Sequence, residues 1–230
     1  MLHPTKGIVL NFIKFKESSI IVRIYTDAFG LQSYIVNGVR SKRSKGKIAL
    51  FQPLTLLDMV VYKKNNSDIQ RISEYRCAEP YHTLPFDIAK SGIAMFLTEC
   101  LARCIREEKE QHDLFEFLYH SFLTLDHLEG SIANFHLQFL LKFGRYLGFA
   151  LRSTDDLLTQ TEVYLKTDTL SPQNRQNVEK LINSGYGDPV PMNVESRRKI
   201  LDLILKFYQL HVENFGELKS LQVLETVLHR

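Results

Sequence analysis

Over residues 6 to 77, apolar and β-branched residues come in short alternating runs broken by polar or glycine-containing stretches, the period-2 signature of half-buried strands. The runs are Gly7 to Phe15, Ser19 to Thr26, Leu31 to Val39, Leu54 to Tyr62 and Ile69 to Cys77. Between the second and third, Asp27-Ala28-Phe29-Gly30 reads as a turn in which Gly30 can supply a positive φ, which makes these two strands a hairpin. Five short strands with no helical period among them predict a small closed or partly closed antiparallel barrel, an OB-like fold being the leading candidate.

From Phe86 the apolar spacing changes to that of helices. Phe86, Ala89, Ile93, Phe96, Leu97, Cys100, Leu101 and Cys104 form one stripe. Others run through Leu114 to Leu125, Ile132 to Leu147, and Leu201 to Phe215, the last stopping at Gly216, a candidate C-cap. Glu79-Pro80 and Leu84-Pro85 bracket the change of period, and a proline holds its predecessor extended. The boundary is placed there, giving an OB-fold-like domain over 1–80 and an all-α helical domain over 81–230, an α+β multidomain chain. Residues 149–193 are less regular. Ser171-Pro172 reads as a helix start, Val178 to Ile182 as a short helix, and 183–189 as a loop rich in breakers.

Composition excludes whole classes. With 44% hydrophobic and 24% charged residues, the chain is neither disordered, collagen-like nor membrane-spanning. Three cysteines, Cys77, Cys100 and Cys104, cannot make a disulfide framework, and a reducing cytoplasm is the expected compartment. Asn65-Asn66-Ser67 fits a glycosylation acceptor but is a chance match without secretion.

The net charge of +3 points to no partner until it is divided. Residues 1–80 hold 13 Lys and Arg against 6 Asp and Glu, a net of +7, and the rest carries −4. Five of the positive charges fall in eight residues, Arg40, Lys42, Arg43, Lys45 and Lys47, with no acidic or apolar residue among them. A run of this kind can be a solvated loop. Leaving the third strand of an OB-like barrel, whose second and third strands form the usual ligand face, it is suited to phosphate backbones. Alternation sharpens the expectation. If Ile20, Val22 and Ile24 face the core, Ile21, Arg23 and Tyr25 face out. On strand three the same reasoning turns Leu31, Ser33 and Ile35 inward and Gln32, Tyr34 and Arg40 outward. Arg23, Tyr25 and Tyr34 would then form a base-stacking platform with an electrostatic rim, unless the tyrosines are ordinary half-buried strand residues.

Catalytic chemistry is not signalled. No Walker or dinucleotide loop, G-x-S-x-G elbow or H-E-x-x-H occurs. Cys100 and Cys104 lie on an apolar stripe and read as core thiols. The adjacent pairs Glu107-Glu108 and Asp155-Asp156 point apart on a helix and form no acid/base dyad. The eight histidines are scattered and read as surface or satisfied core residues. No catalytic residue, cofactor or metal is expected.

Gly7-Ile8-Val9-Leu10, Glu17-Ser18-Ser19-Ile20-Ile21-Val22, Tyr25-Thr26, Gly30-Leu31, Asn37-Gly38-Val39-Arg40 with its basic, serine-containing loop, and Gln52-Pro53-Leu54 together resemble the bacterial RecO family of recombination mediators. Weaker echoes follow at Phe139 to Gly144, Leu147-Gly148, Tyr208, His211, Phe215-Gly216 and Leu218-Lys219-Ser220. The resemblance implies an N-terminal OB-fold, binding of single- and double-stranded DNA, and strand annealing. It also implies cooperation with RecR in placing RecA on DNA coated by single-strand-binding protein, whose C-terminal tail can dock on the helical domain. Many members carry a four-cysteine zinc site after the Leu-Gly segment; here 149–193 hold no cysteine, so no zinc is expected. An adaptor whose basic barrel meets an acidic protein is the competing reading, and a nuclease or ligase lacks any constellation to support it. The expected location is cytoplasmic, in association with the nucleoid.

Overall fold

The computed structural model describes residues 1–41, 44, 46–64, 67–106, 109–161 and 170–228. Lys42, Arg43 and Lys45 of the basic run, Asn65 and Asn66 of the glycosylation match and the Glu107-Glu108 pair lie outside the described residues. The chain forms two compact units, Met1–His82 with Thr98–Leu123, and Thr83–Leu97 with Thr124–Arg230.

In the first unit, β1 (Leu2–Phe15), β2 (Ser19–Thr26), β3 (Gly30–Val36), β4 (Leu56–Tyr62) and β5 (Ile69–Cys77) close into a barrel in the order β1-β2-β3-β5-β4, the expected OB-like architecture. Pairing is antiparallel except between β3 and β5, where three parallel pairs complete the ring. β1 starts five residues earlier than the alternation predicts, because its first half pairs with β4 and its second half with β2. A register shift between Val9 and Asn11 bends the strand at the changeover. Gly7, two residues before this bend, pairs with both neighbouring strands, and a Cβ there would fall 2.6 Å from both Ile24 Cγ2 and Met59 Cε, so glycine lets β1 approach closely. Val9, Ile20, Val22, Ile24, Tyr34, Leu57, Met59 and Val61 fill the interior, and Phe51, from a 3-10 turn over Lys47–Phe51, plugs it.

The helices are α1 (Ile88–Cys104), α2 (His112–His127), α3 (Phe135–Tyr146), α4 (Thr154–Thr161), α5 (Pro172–Asn183), α6 (Val194–His211) and α7 (Leu221–Leu228). α5 starts as expected, with Ser171 accepting from Asn174 N and Pro172 at the first helical position. α4 and α7 are additional. In α4 the buried positions are Thr154, Leu157, Leu158 and Thr161, so half of its apolar stripe is threonine and the period is masked. α6 ends at His211, not at Gly216, which takes a positive φ of 63° in the turn beyond. Phe86, placed on the α1 stripe by its spacing, precedes the helix and is 82% exposed.

In the second unit, α3 is buried along most of its length, and the Tyr208 hydroxyl on α6 donates to Leu140 O at 2.7 Å. Asp126 Oδ1 accepts from the amides of Thr83 and Leu84 at 2.8 and 2.7 Å, and the buried Lys90 ammonium donates to Asp126 O and to Thr83 Oγ1. Residues between Pro80 and Pro85 are thereby tied to the end of α2.

Candidate nucleic-acid interface

Residues opposite one another in a ladder share a face, so the β2–β3 register decides what the barrel presents. Thr26 pairs with Gly30, its Oγ1 donating to Gly30 O at 2.8 Å and accepting from Phe29 N. Thr26 is in phase with the buried Ile20, Val22 and Ile24, so Gly30, Gln32, Tyr34 and Val36 all turn inward with it. The expectation for strand three is therefore reversed. Tyr34 and Gln32 point in, whereas Ser33 and Ile35 point out opposite Arg23 and Ile21. Tyr34 lies in the barrel core, and burial raises its phenol pKa. Tyr25 has the predicted outward phase, but its ring stacks under Phe115 of α2 at 6.3 Å and is 1% exposed. Neither tyrosine is presented to a ligand.

What the outer face does present runs in two rows across the sheet. One is Ile13–Ile21–Ile35–Arg71, continuing to Tyr62, and the other is Asn11–Arg23–Ser33–Ile69. Ile13, Ile69 and Tyr62 are exposed hydrophobics. No carboxylate stands in either row, and Arg23 and Arg71 form no ion pair among the described residues. The β1-β4-β5 face is the opposite case. Its rows Lys6–Asp58–Arg76 and Pro4–Val60–Glu74 line an open groove of about 570 Å³. Arg76 is paired to Asp58 at 2.9 Å, and Lys6 lies 4.8 Å over the Tyr119 ring. The rows on one side of the barrel thus balance Lys6 and Arg76 with Asp58 and Glu74, whereas those on the other hold Arg23 and Arg71 with no carboxylate. Arg71, Tyr62 and Ile69 are missed by sequence reasoning because only the β3–β5 closure, between strands more than thirty residues apart, brings them beside Arg23.

One end of this face carries the basic loop. Arg40 is anchored to the β1–β2 turn, its backbone N donating to Ser18 O at 3.0 Å and its Nη1 to Lys16 O at 3.3 Å. The interleaved serines fold the start of the loop, Ser41 Oγ donating to Gly38 O and Ser44 Oγ to Val39 O and Ser41 O. Lys14, Lys16 and Lys47 are exposed at the same end. Lys42, Arg43 and Lys45 are outside the described residues.

Elsewhere the titratable groups are structural. Burial raises the Cys100 thiol pKa and pushes that of Cys104 up to about 12, which leaves both as unreactive thiols. No group of three His, Cys, Asp or Glu side chains among the described residues could hold a metal. His136 departs from the satisfied histidine expected. It is buried, its Nδ1 makes no hydrogen bond, and desolvation lowers its pKa to about 3.

Family comparisons add to this geometry. Residues 1–81 match the model for the recombination protein O N terminal domain, and residues 85–181 match that for the recombination protein O C terminal domain. The chain is 37% identical over 238 residues to a DNA repair protein RecO of Bacteroides fragilis, covering 98% of both chains. It is 37% identical to that of Phocaeicola vulgatus, again over 98% of each. With the Flavobacterium psychrophilum protein of the same name it shares 35% identity over 97% of this chain and 98% of the other.

Proposed function

Since the chain belongs to the RecO family of DNA repair and recombination proteins, we propose that it is a non-enzymatic mediator that binds DNA through the uncompensated face of its barrel. The observation that carries this reading is the segregation of charge. Arg23 and Arg71 stand among isoleucines with no carboxylate in their rows, while the other sheet face holds as many carboxylates as cations and pairs Arg76 to Asp58. Arg40 and Lys47 extend the positive rim from one end, and the sequence places Lys42, Arg43 and Lys45 between them. Aliphatic side chains tolerate any base, and arginines and lysines hold phosphates without reading sequence. Such a surface suits a protein that binds single and double strands and anneals them. Tyr25 and Tyr34 are not part of this proposal, because neither ring reaches the surface.

The proposal includes finer roles that the family membership supports: cooperation with RecR in loading RecA, and docking of the acidic, apolar tail of single-strand-binding protein on the helical domain. No helix among the described residues is long and apolar enough to cross a membrane.

The test is charge reversal at Lys42, Arg43 and Lys45 in the full chain, read by fluorescence anisotropy on oligonucleotides of increasing length across salt. Affinity should fall and the salt dependence flatten, since each lost phosphate contact removes about 0.7 from the slope of log K against log[salt] on single strands. Affinity independent of strand length would favour an adaptor that binds a fixed acidic peptide.

A further inference from the structure

The end of the barrel face opposite the basic loop is formed by the segment joining β4 to β5, and two buried glutamines hold it. Gln70, 3% exposed, accepts from Lys64 N at 3.0 Å through Oε1 and donates through Nε2 to Lys64 O at 2.8 Å and Ser67 O at 2.7 Å. Gln32, 4% exposed, accepts from the Lys63 ammonium at 2.8 Å. That ammonium also lies 5.5 Å over the Phe29 ring. A buried amide that spends both its oxygen and its nitrogen on Lys64 and Ser67 fixes the backbone at those two residues. The loop so fixed leads out of Tyr62, which is 41% exposed and pairs directly with Arg71. It carries Lys64, exposed and in no ion pair among the described residues. An exposed aromatic ring, an unpaired guanidinium across the ladder from it and an ammonium two residues away are the elements of a stacking site with phosphate contacts.

We infer that Tyr62, Lys64 and Arg71 form a subsite for one unpaired nucleotide, its base on the Tyr62 ring and its phosphates on Lys64 and Arg71, with Gln70 as the positioning residue that orders the loop. The subsite rests on the reading of this face as a DNA surface and adds to it a reason to distinguish strands. A base stacked in a duplex cannot lie on Tyr62, so the stacking contact contributes to single-strand binding and not to duplex binding, whereas the phosphate contacts serve both. Preorganisation matters because a loop ordered before binding does not lose that freedom on contact. Asp68, the one carboxylate of the loop among the described residues, opposes phosphate.

Equilibrium binding of the full chain to a single-stranded oligonucleotide and to the matching duplex, each over a salt series, tests the subsite. Tyr62→Ala should weaken single-strand binding about five-fold or more and leave the duplex unchanged, with Tyr62→Phe restoring the affinity. Lys64→Gln should lower the single-strand salt slope by about 0.7. Gln70→Ala should lower it by a similar amount although no charge is removed, a change that partial unfolding does not produce. The double variant should show no further drop. Equal losses on single strands and duplex for Tyr62→Ala, or a slope untouched by Lys64→Gln, overturn the subsite. If Gln70→Ala does not fold, Gln32→Met replaces it as the loop-loosening variant, and a wild-type slope there removes the positioning role. A wild-type chain that binds no oligonucleotide overturns the DNA surface itself, and the subsite with it.

Discussion

Val22 and Tyr34 face each other across the β2–β3 ladder, both inside the barrel. That pairing separates the aromatic that looks like a ligand platform from the surface where a ligand would bind. Tyr34→Phe should therefore leave DNA affinity unchanged. Tyr34→Ala should cost about 3 to 5 kcal/mol of stability, the usual price of an aromatic-sized cavity, as read by urea unfolding. A loss of DNA affinity in folded Tyr34→Phe protein would contradict the register.

The two faces of the barrel should differ in their response to charge. Arg71→Glu places a carboxylate in a row that has none and should reduce both affinity and salt slope. Arg76→Glu changes a side chain already paired to Asp58 and should alter binding much less. The pair of variants in one anisotropy experiment measures the segregation directly. Equal losses would mean that net charge, rather than its placement, governs binding.

His136 makes stability depend on acid. Its folded-state pKa of about 3 is below the ordinary 6.5 because desolvation disfavours the imidazolium, with Arg197 adding to the effect. The unfolded chain thus takes up this proton first as pH falls. The contribution is complete above about pH 6.5 and is lost progressively towards pH 3, at no more than about 1.4 kcal/mol per pH unit. Between pH 8 and pH 4 the stability of wild type should fall relative to that of His136→Phe, which has no imidazole to titrate. Parallel curves would show that His136 is not the group responsible.

His112 works in the other direction. It opens α2 and meets Asp27 of the β2–β3 turn at 2.7 Å, and that contact raises its pKa above 6.5, with Glu116 and Asp113 adding to it. The stabilisation it brings is present below pH 6.5 and fades as pH rises through the raised value. An NMR titration should find the elevated pKa in the wild type and a value lowered towards the ordinary one in Asp27→Asn. The same turn is held from beneath at Gly30, whose φ is +61° and where a Cβ would fall 2.2 Å from Lys109 O. Gly30→Ala should therefore destabilise the chain more strongly than Asp27→Asn.

Local pattern alone determined a good deal. Period-2 runs located five strands, period-3.6 stripes located most of the helices, and Ser171-Pro172 marked the start of α5, because each of these depends on residues a few positions apart. The charge imbalance of the first 80 residues and the serine-spaced basic run were equally legible, since charge is counted without knowing where it points. Only the tertiary structure decided which face carries that charge. The turn bonded through Thr26 set the phase of β3 and took Tyr34 inside, Phe115 covered Tyr25, and closure of β3 on β5 brought Arg71 and Tyr62 beside Arg23. The roles of Gln70 and Gln32 were hidden for the same reason. A polar side chain reads as surface until the fold buries it, and what it then holds depends on partners the linear pattern does not place next to it.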